Sequence, residues 1–164
     1  MRRVVKYIVI SCLVFFGGQW ILTSFFDILL SKSSFRYSKL FYSDISMNYS
    51  TLCLGNSRAL NSFYTPYLND NYSLNAINLA YNGLEMPLVD VVINEYLDRH
   101  SKPENVVIEI STLFNKYEKH KYRPFNIYSH KSPYLYQKIR DTDSQSYIIN
   151  KAGPLYRYLS LIHI

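Results

Sequence analysis

Ser57 is the side chain of this chain best placed to do chemistry. It closes the run Thr51-Leu52-Cys53-Leu54-Gly55-Asn56-Ser57, an apolar stretch that stops at a small-residue turn. Where such a run is a buried strand of an open parallel sheet, ligands sit just outside its carboxyl end. A serine at a sharp turn there is a candidate nucleophile. Gly-Asn-Ser is also an ordinary turn, and its serine can simply cap a following helix. Asn82-Gly83 forms a second turn of small residues. The Asn82 amide can donate to an oxyanion or merely shape the turn, and Gly83 suits a turn that needs positive φ.

Serine is a poor nucleophile near neutral pH unless a neighbouring base takes its proton. The histidines are His100, His120, His130 and His163, and none has an aspartate three residues before it. His100 ends a helical pattern, where its cationic form suits the helix dipole. None is assigned as the base. Glu109, at the end of an apolar run, either points toward the site or faces solvent or a lysine. Arg58 either meets an anionic substrate or is solvated. Cys12 and Cys53 lie in separate apolar runs with no metal-ligand spacing, so no disulfide, metal or cofactor is expected.

The elements that would position these residues follow from residue 51. Residues 52–54 read as a first strand, residues 74–79 as a second and residues 106–110 as a third. The third is nearly continuous in apolar residues, as a parallel strand covered on both faces should be. Pro66 marks a short helix start between the first two strands. Pro87 opens a clear helix whose Val89, Val92, Ile93, Tyr96 and Leu97 recur at helical spacing, and Ser101-Lys102-Pro103 stops it. Strand, helix, strand, helix, strand argues for an α/β layered sheet. Residues 31–50 form a connector that packs Phe35, Tyr37, Leu40, Phe41 and Tyr42 on the domain. After Ser111 order fades through a region rich in Lys, Tyr and His, and residues 145–150 and 155–164 are short helices.

Ahead of all this, Arg2, Arg3 and Lys6 precede an apolar run. Residues 7–26, as a helix at about 1.5 Å per residue, span roughly the 30 Å hydrocarbon core of a bilayer. The basic flank keeps the N-terminus cytoplasmic and places everything after residue 30 outside. A cleavable signal peptide is the competing reading, but it has a shorter apolar region and a small-x-small cleavage site, which is not seen here. The formal charge is +6. Lys116, Lys119, Lys121 and Arg123, interleaved with Tyr117 and Tyr122, look like a nucleic-acid surface on paper. Outside the cytoplasm that partner is excluded; the aromatic and basic residues either contact an anionic glycan or form a solvated loop.

With these residues in place the chain resembles the SGNH/GDSL hydrolase superfamily, in its membrane-anchored bacterial cell-surface branch. The likeness rests on Leu54-Gly55-Asn56-Ser57-Arg58 for the nucleophile block and on Asn78-Leu79-Ala80-Tyr81-Asn82-Gly83 for the second block. It implies a flavodoxin-like parallel sheet, Ser57 as nucleophile, and an oxyanion hole from the N–H groups of Ser57 and Gly83. After the third strand, Val107-Ile108-Glu109-Ile110-Ser111 lacks the family's usual glycine and asparagine. The D-x-x-H block that carries the aspartate and the histidine base does not occur in the sequence. The likeness covers residues 50–112, and the expectation is a truncated copy: anchor at 1–30, connector at 31–50, partial SGNH-like α/β domain at 51–164. Without later strands beside it, the third strand would be an exposed apolar edge.

The function so implied is a membrane-anchored serine esterase or O-acyltransferase acting on acylated cell-surface polysaccharide. Its partners would be the lipid bilayer and that polysaccharide, and not nucleic acid. The alternative is a non-catalytic remnant or accessory binding module of a cell-envelope polysaccharide system.

Overall fold

A computed structural model describes residues 2–42, 47–114 and 119–163; the side chains of residues 119–121, 123 and 159–163 fall outside that description. Three short strands, β1 (Thr51–Leu54), β2 (Ala76–Asn78) and β3 (Asn105–Ile108), form one parallel sheet in the order β2-β1-β3. Thr51 is in register with Ala76 on one side and Asn105 on the other. All four residues of β1 are buried, as a central strand of this composition requires. Seven α-helices are described around it: α1 (Arg2–Ser31), α2 (Arg36–Tyr42), α3 (Ser57–Ser62), α4 (Thr65–Tyr72), α5 (Met86–Arg99), α6 (Pro133–Thr142) and α7 (Ser144–Ala152). Tight 3₁₀ segments cover Ile110–Leu113, Lys119–Tyr128 and Pro154–His163. The protein is therefore mostly helical around a small parallel α/β sheet.

Two sequence expectations need correction. β3 is not covered on both faces: Val106 and Val107, which point to opposite faces, are 45% and 39% exposed. Among the described residues it pairs only with β1, which leaves an apolar edge. In α5 the buried stripe is rotated from the expected one. Leu88, Val89, Val91, Val92, Glu95 and Tyr96 are buried, whereas Leu97 is exposed.

Glu95 is tolerated inside because two groups answer its carboxylate. Arg99, one turn on, approaches to 2.5 Å, and the Ser132 hydroxyl donates to the other oxygen. Arg99 also donates to the carbonyls of Phe41 (2.9 Å) and Lys131, so one guanidinium joins α5, α2 and the entry to α6. Arg99→Ala would strand the carboxylate, which is 1% exposed. The expected loss is about 2–3 kcal/mol, under the range for a fully buried pair because water reaches the arginine. Urea unfolding measures it, and a change below ~0.5 kcal/mol would contradict this role.

The connector holds α2, whose Tyr37, Leu40 and Phe41 are fully buried, while Phe35 stays largely exposed. Tyr37 stands edge-on to Phe125 (5.0 Å between centroids), and Phe41 stacks on Tyr128 (4.8 Å). Large aromatic areas from distant segments thus close the core beside the sheet.

α1 is long and apolar enough to cross a membrane, which fits a single-pass membrane protein. Its apolar stretch is almost wholly exposed, unlike the core helix of a soluble protein. The domain grips its last turns most closely. Thr23 is buried, Phe26 stacks on Tyr158 at 4.9 Å, and Asp27 accepts hydrogen bonds from the Tyr42 hydroxyl (2.7 Å) and the Tyr158 hydroxyl. His130 Nε2 lies 3.2 Å from the same carboxylate, and the Arg157 guanidinium lies 3.9 Å away.

Candidate functional site

β1 ends at Leu54, and the backbone turns sharply at Gly55, whose φ is +145°. The turn is this tight because its neighbours leave no room. A Cβ on Gly55 would stand 2.7 Å from Glu109 Cβ and 2.8 Å from Ala59 Cβ. Asn56 then caps α3: its side-chain oxygen accepts from the Arg58 N–H at 2.9 Å. The capping role that the sequence allowed for Ser57 thus falls to Asn56. Ser57 is the first helical residue and exposed, and no described group hydrogen-bonds its hydroxyl.

The other wall of the crevice comes from the segment after β3. The Asn56 N–H donates to Thr112 Oγ1 (3.2 Å), and the Asn56 amide donates to Ser111 Oγ (2.8 Å). Ser111 in turn donates through its hydroxyl (2.5 Å) and its N–H (3.0 Å) to the Glu109 carboxylate. Glu109 therefore does not lie loose in solvent, and its described partners are Ser111 and Thr112 rather than a lysine. The Ser111 hydrogen bonds, with Arg58 nearby, hold its carboxyl below the usual range. Strand order reverses at β1, so this crevice between the carboxyl ends of β1 and β3 is the topological switch point of the sheet.

The second turn sits on the other side of β1. The Tyr81 N–H donates to Gly55 O at 3.0 Å, and the Leu84 N–H closes a turn onto Tyr81 O at 2.9 Å. Gly83 occupies its third position with φ +71°, a conformation that favours glycine. Asn82 is exposed at the turn's tip. The turn is fixed from below by Asn78. Its amide donates to the carbonyls of Ala59 (3.1 Å) and Phe63 (2.9 Å) at the end of α3, and its oxygen accepts from the Ala80 N–H (2.9 Å). Arg36 caps the β2 end by donating to Asn78 O at 2.8 Å.

No described histidine serves Ser57. His100 follows α5 and is buried at the opposite, amino edge of the sheet. There Nδ1 accepts from the Met47 N–H at 3.1 Å, and Nε2 faces Leu40 O at 3.4 Å. The first contact needs a neutral ring, and burial also pushes its pKa down. The cationic, dipole-matched His100 of the sequence reading is thus replaced by a neutral structural one. His130 is held by Asp27. The side chains of His120 and His163, and those of Lys119, Lys121 and Arg123, lie outside the described residues, as do Lys116 and Tyr117 entirely. Tyr122 is buried.

His100 carries a pH prediction. The unfolded chain takes up its proton near 6.5, and the folded chain only at lower pH. Between those values the unfolded state holds more protons, so stability falls as pH falls through that window. Urea midpoints should drop from about pH 7 to about pH 5, and His100→Gln, whose amide oxygen can still accept from Met47, should flatten the slope. An unchanged slope would contradict the assignment.

Among the described residues no cluster of three metal-ligating side chains occurs. Cys53 is buried, which pushes its thiol pKa up and makes it a poor thiolate nucleophile. Sequence reading passed over Asn56, Asn78, Ser111 and Thr112 as positioning residues, and also the Asp27–His130 pair. For Asp27 a signal existed: an acidic residue in an apolar membrane-length run calls for a partner. No family model, curated protein or solved structure matches this chain.

Proposed function

We propose that the chain is a membrane-anchored serine esterase or O-acyltransferase of the SGNH/GDSL type, acting outside the membrane on acylated cell-surface polysaccharide. The observation that supports this best is the place of Ser57. It follows the central strand at the switch point of a β2-β1-β3 sheet, the order of the first three strands of a flavodoxin-like fold, with its hydroxyl exposed and uncommitted among the described residues. In this reading Ser57 Oγ bonds to the acyl carbonyl carbon while its proton passes to a base. The Ser57 and Gly83 N–H groups, with the Asn82 amide, receive the oxyanion. The leaving alcohol departs protonated, and water or an acceptor hydroxyl then takes the acyl group.

The full chain in detergent should hydrolyse p-nitrophenyl acetate, and Ser57→Ala should abolish it. Equal hydrolysis by both proteins would overturn the proposal.

One observation favours the alternative, a non-catalytic accessory module: both histidines with described side chains are engaged away from Ser57. That reading expects acetylated polysaccharide to bind without turnover, and binding to survive Ser57→Ala.

A further inference from the structure

A half-open cavity of about 260 Å³ lies between the end of α1 and the carboxyl edge of the sheet. Its walls are Leu30, Phe35, Tyr37, Tyr81, Phe125 and Tyr128, with Ser33 and Ser38 among the remaining lining residues and no charged side chain among the described residues that line it. The volume falls just below the ~300–1,000 Å³ of ordinary ligand pockets, enough for part of a chain rather than a whole lipid.

Its position relates it to two things at once. Leu30 stands four residues beyond residue 26, about 6 Å along the helix axis. The headgroup layer on each side of a bilayer is about 5–7 Å thick, so the mouth opens at headgroup level. The domain also runs alongside α1 below residue 26. Gly153 packs against Gln19 of α1, and Leu155 and Tyr156 line a shallow apolar groove with Phe15. Tyr81, in its wall, donates its N–H to Gly55 O, which ties the cavity to the turn that precedes Ser57.

We infer that this cavity takes the hydrocarbon chain of a membrane lipid. A mainly aromatic and aliphatic lining, with no charged side chain among its described residues, selects against an ionic headgroup, which would lose its hydrogen bonds to water on entry. Most of the exposed lining is apolar, so a lipid tail moving from bilayer to cavity keeps a largely apolar environment. As the substrate class for Ser57, a lipid-borne acyl donor, the assignment rests on the esterase reading above. As a binding site it does not.

The test reconstitutes the full chain in phospholipid nanodiscs containing a fatty acid with a diazirine near its methyl end, followed by irradiation and peptide mass spectrometry. Adducts are expected on the buried rings Phe125 and Tyr128. A tenfold excess of unlabelled oleic acid should lower them to about one tenth by mass action. Ser33→Trp, which fills the mouth, should lower them by about tenfold, and Ser34→Trp, outside the cavity, should not. Adducts confined to residues 2–29, or indifferent to oleic acid, would overturn the inference whether or not Ser33→Trp folds. Ser57→Ala separates the two proposals: it should keep the adducts while losing turnover. Ser57-dependent turnover without adducts sinks the lipid site alone, and adducts without turnover sink the esterase reading alone.

Discussion

Ser57→Ala is expected to lower ester hydrolysis by at least about a thousandfold, a loss of ~4 kcal/mol of transition-state stabilisation, with KM nearly unchanged. The size follows from what the hydroxyl does. In the proposed mechanism it forms the covalent bond, so its removal leaves only binding and the oxyanion donors. Stability should barely move, by less than about 0.5 kcal/mol, because the side chain is exposed and no described group bonds it. Asn56→Ala provides the contrast. It removes the α3 cap and the link to Ser111 together, so it should cost about 1–2 kcal/mol of stability as well as activity. A thousandfold loss in Ser57→Ala with an unchanged melting curve separates chemistry from folding.

Gly55→Ala is expected to cost about 3–5 kcal/mol, enough to unfold a marginal domain at working temperature. Two independent penalties combine. The new Cβ would meet Glu109 Cβ at 2.7 Å and Ala59 Cβ at 2.8 Å, with Thr112 Oγ1 at 3.3 Å. Neither of the first two is the far end of a flexible side chain, so backbone must move. The φ of +145° adds strain of its own, since only glycine adopts that region without cost. The clash pushes β1 away from the segment after β3, which is the crevice itself. Urea unfolding should therefore shift sharply, and a loss below ~1 kcal/mol would mean that the turn can open without consequence.

The sheet was legible because its strands are short apolar runs ended by turn residues. Residues 52–54 lie within the observed Thr51–Leu54, and the helix opened by Pro87 is Met86–Arg99. Boundaries slipped by one or two residues at the strand ends: the run 74–79 narrows to Ala76–Asn78, and 106–110 shifts to Asn105–Ile108. A seven-residue helix such as α2 is too short to display a period, and its aromatic residues mask what remains. α6 falls in the region where order was expected to fade, and Pro133 begins it under a Ser132 cap. Pattern alone placed Leu97 on the buried face of α5. The Arg99 and Ser132 groups that stabilise Glu95 turned the helix the other way, and Ser132 lies 37 residues from it.

At the site, sequence could propose Ser57 but not its surroundings. Asn56, Ser111 and Glu109 meet only because β1 and β3 lie side by side, and a hydrogen bond across 55 residues leaves no local mark. The same holds for Asp27, which Tyr42, His130 and Tyr158 reach from three separate segments. That cluster fixes the membrane-length helix to the domain, with the apolar cavity opening beside its end.

Whether Ser57 is an activated nucleophile is decided most directly by a fluorophosphonate probe, which bonds serines whose hydroxyl has a base and an oxyanion site. Incubated with the full chain in detergent and read by peptide mass spectrometry, the probe should modify Ser57 in the folded protein and not after heat denaturation. A folded protein that carries no adduct on Ser57, or carries it equally on unrelated serines, would contradict serine-based acyl chemistry at this strand end.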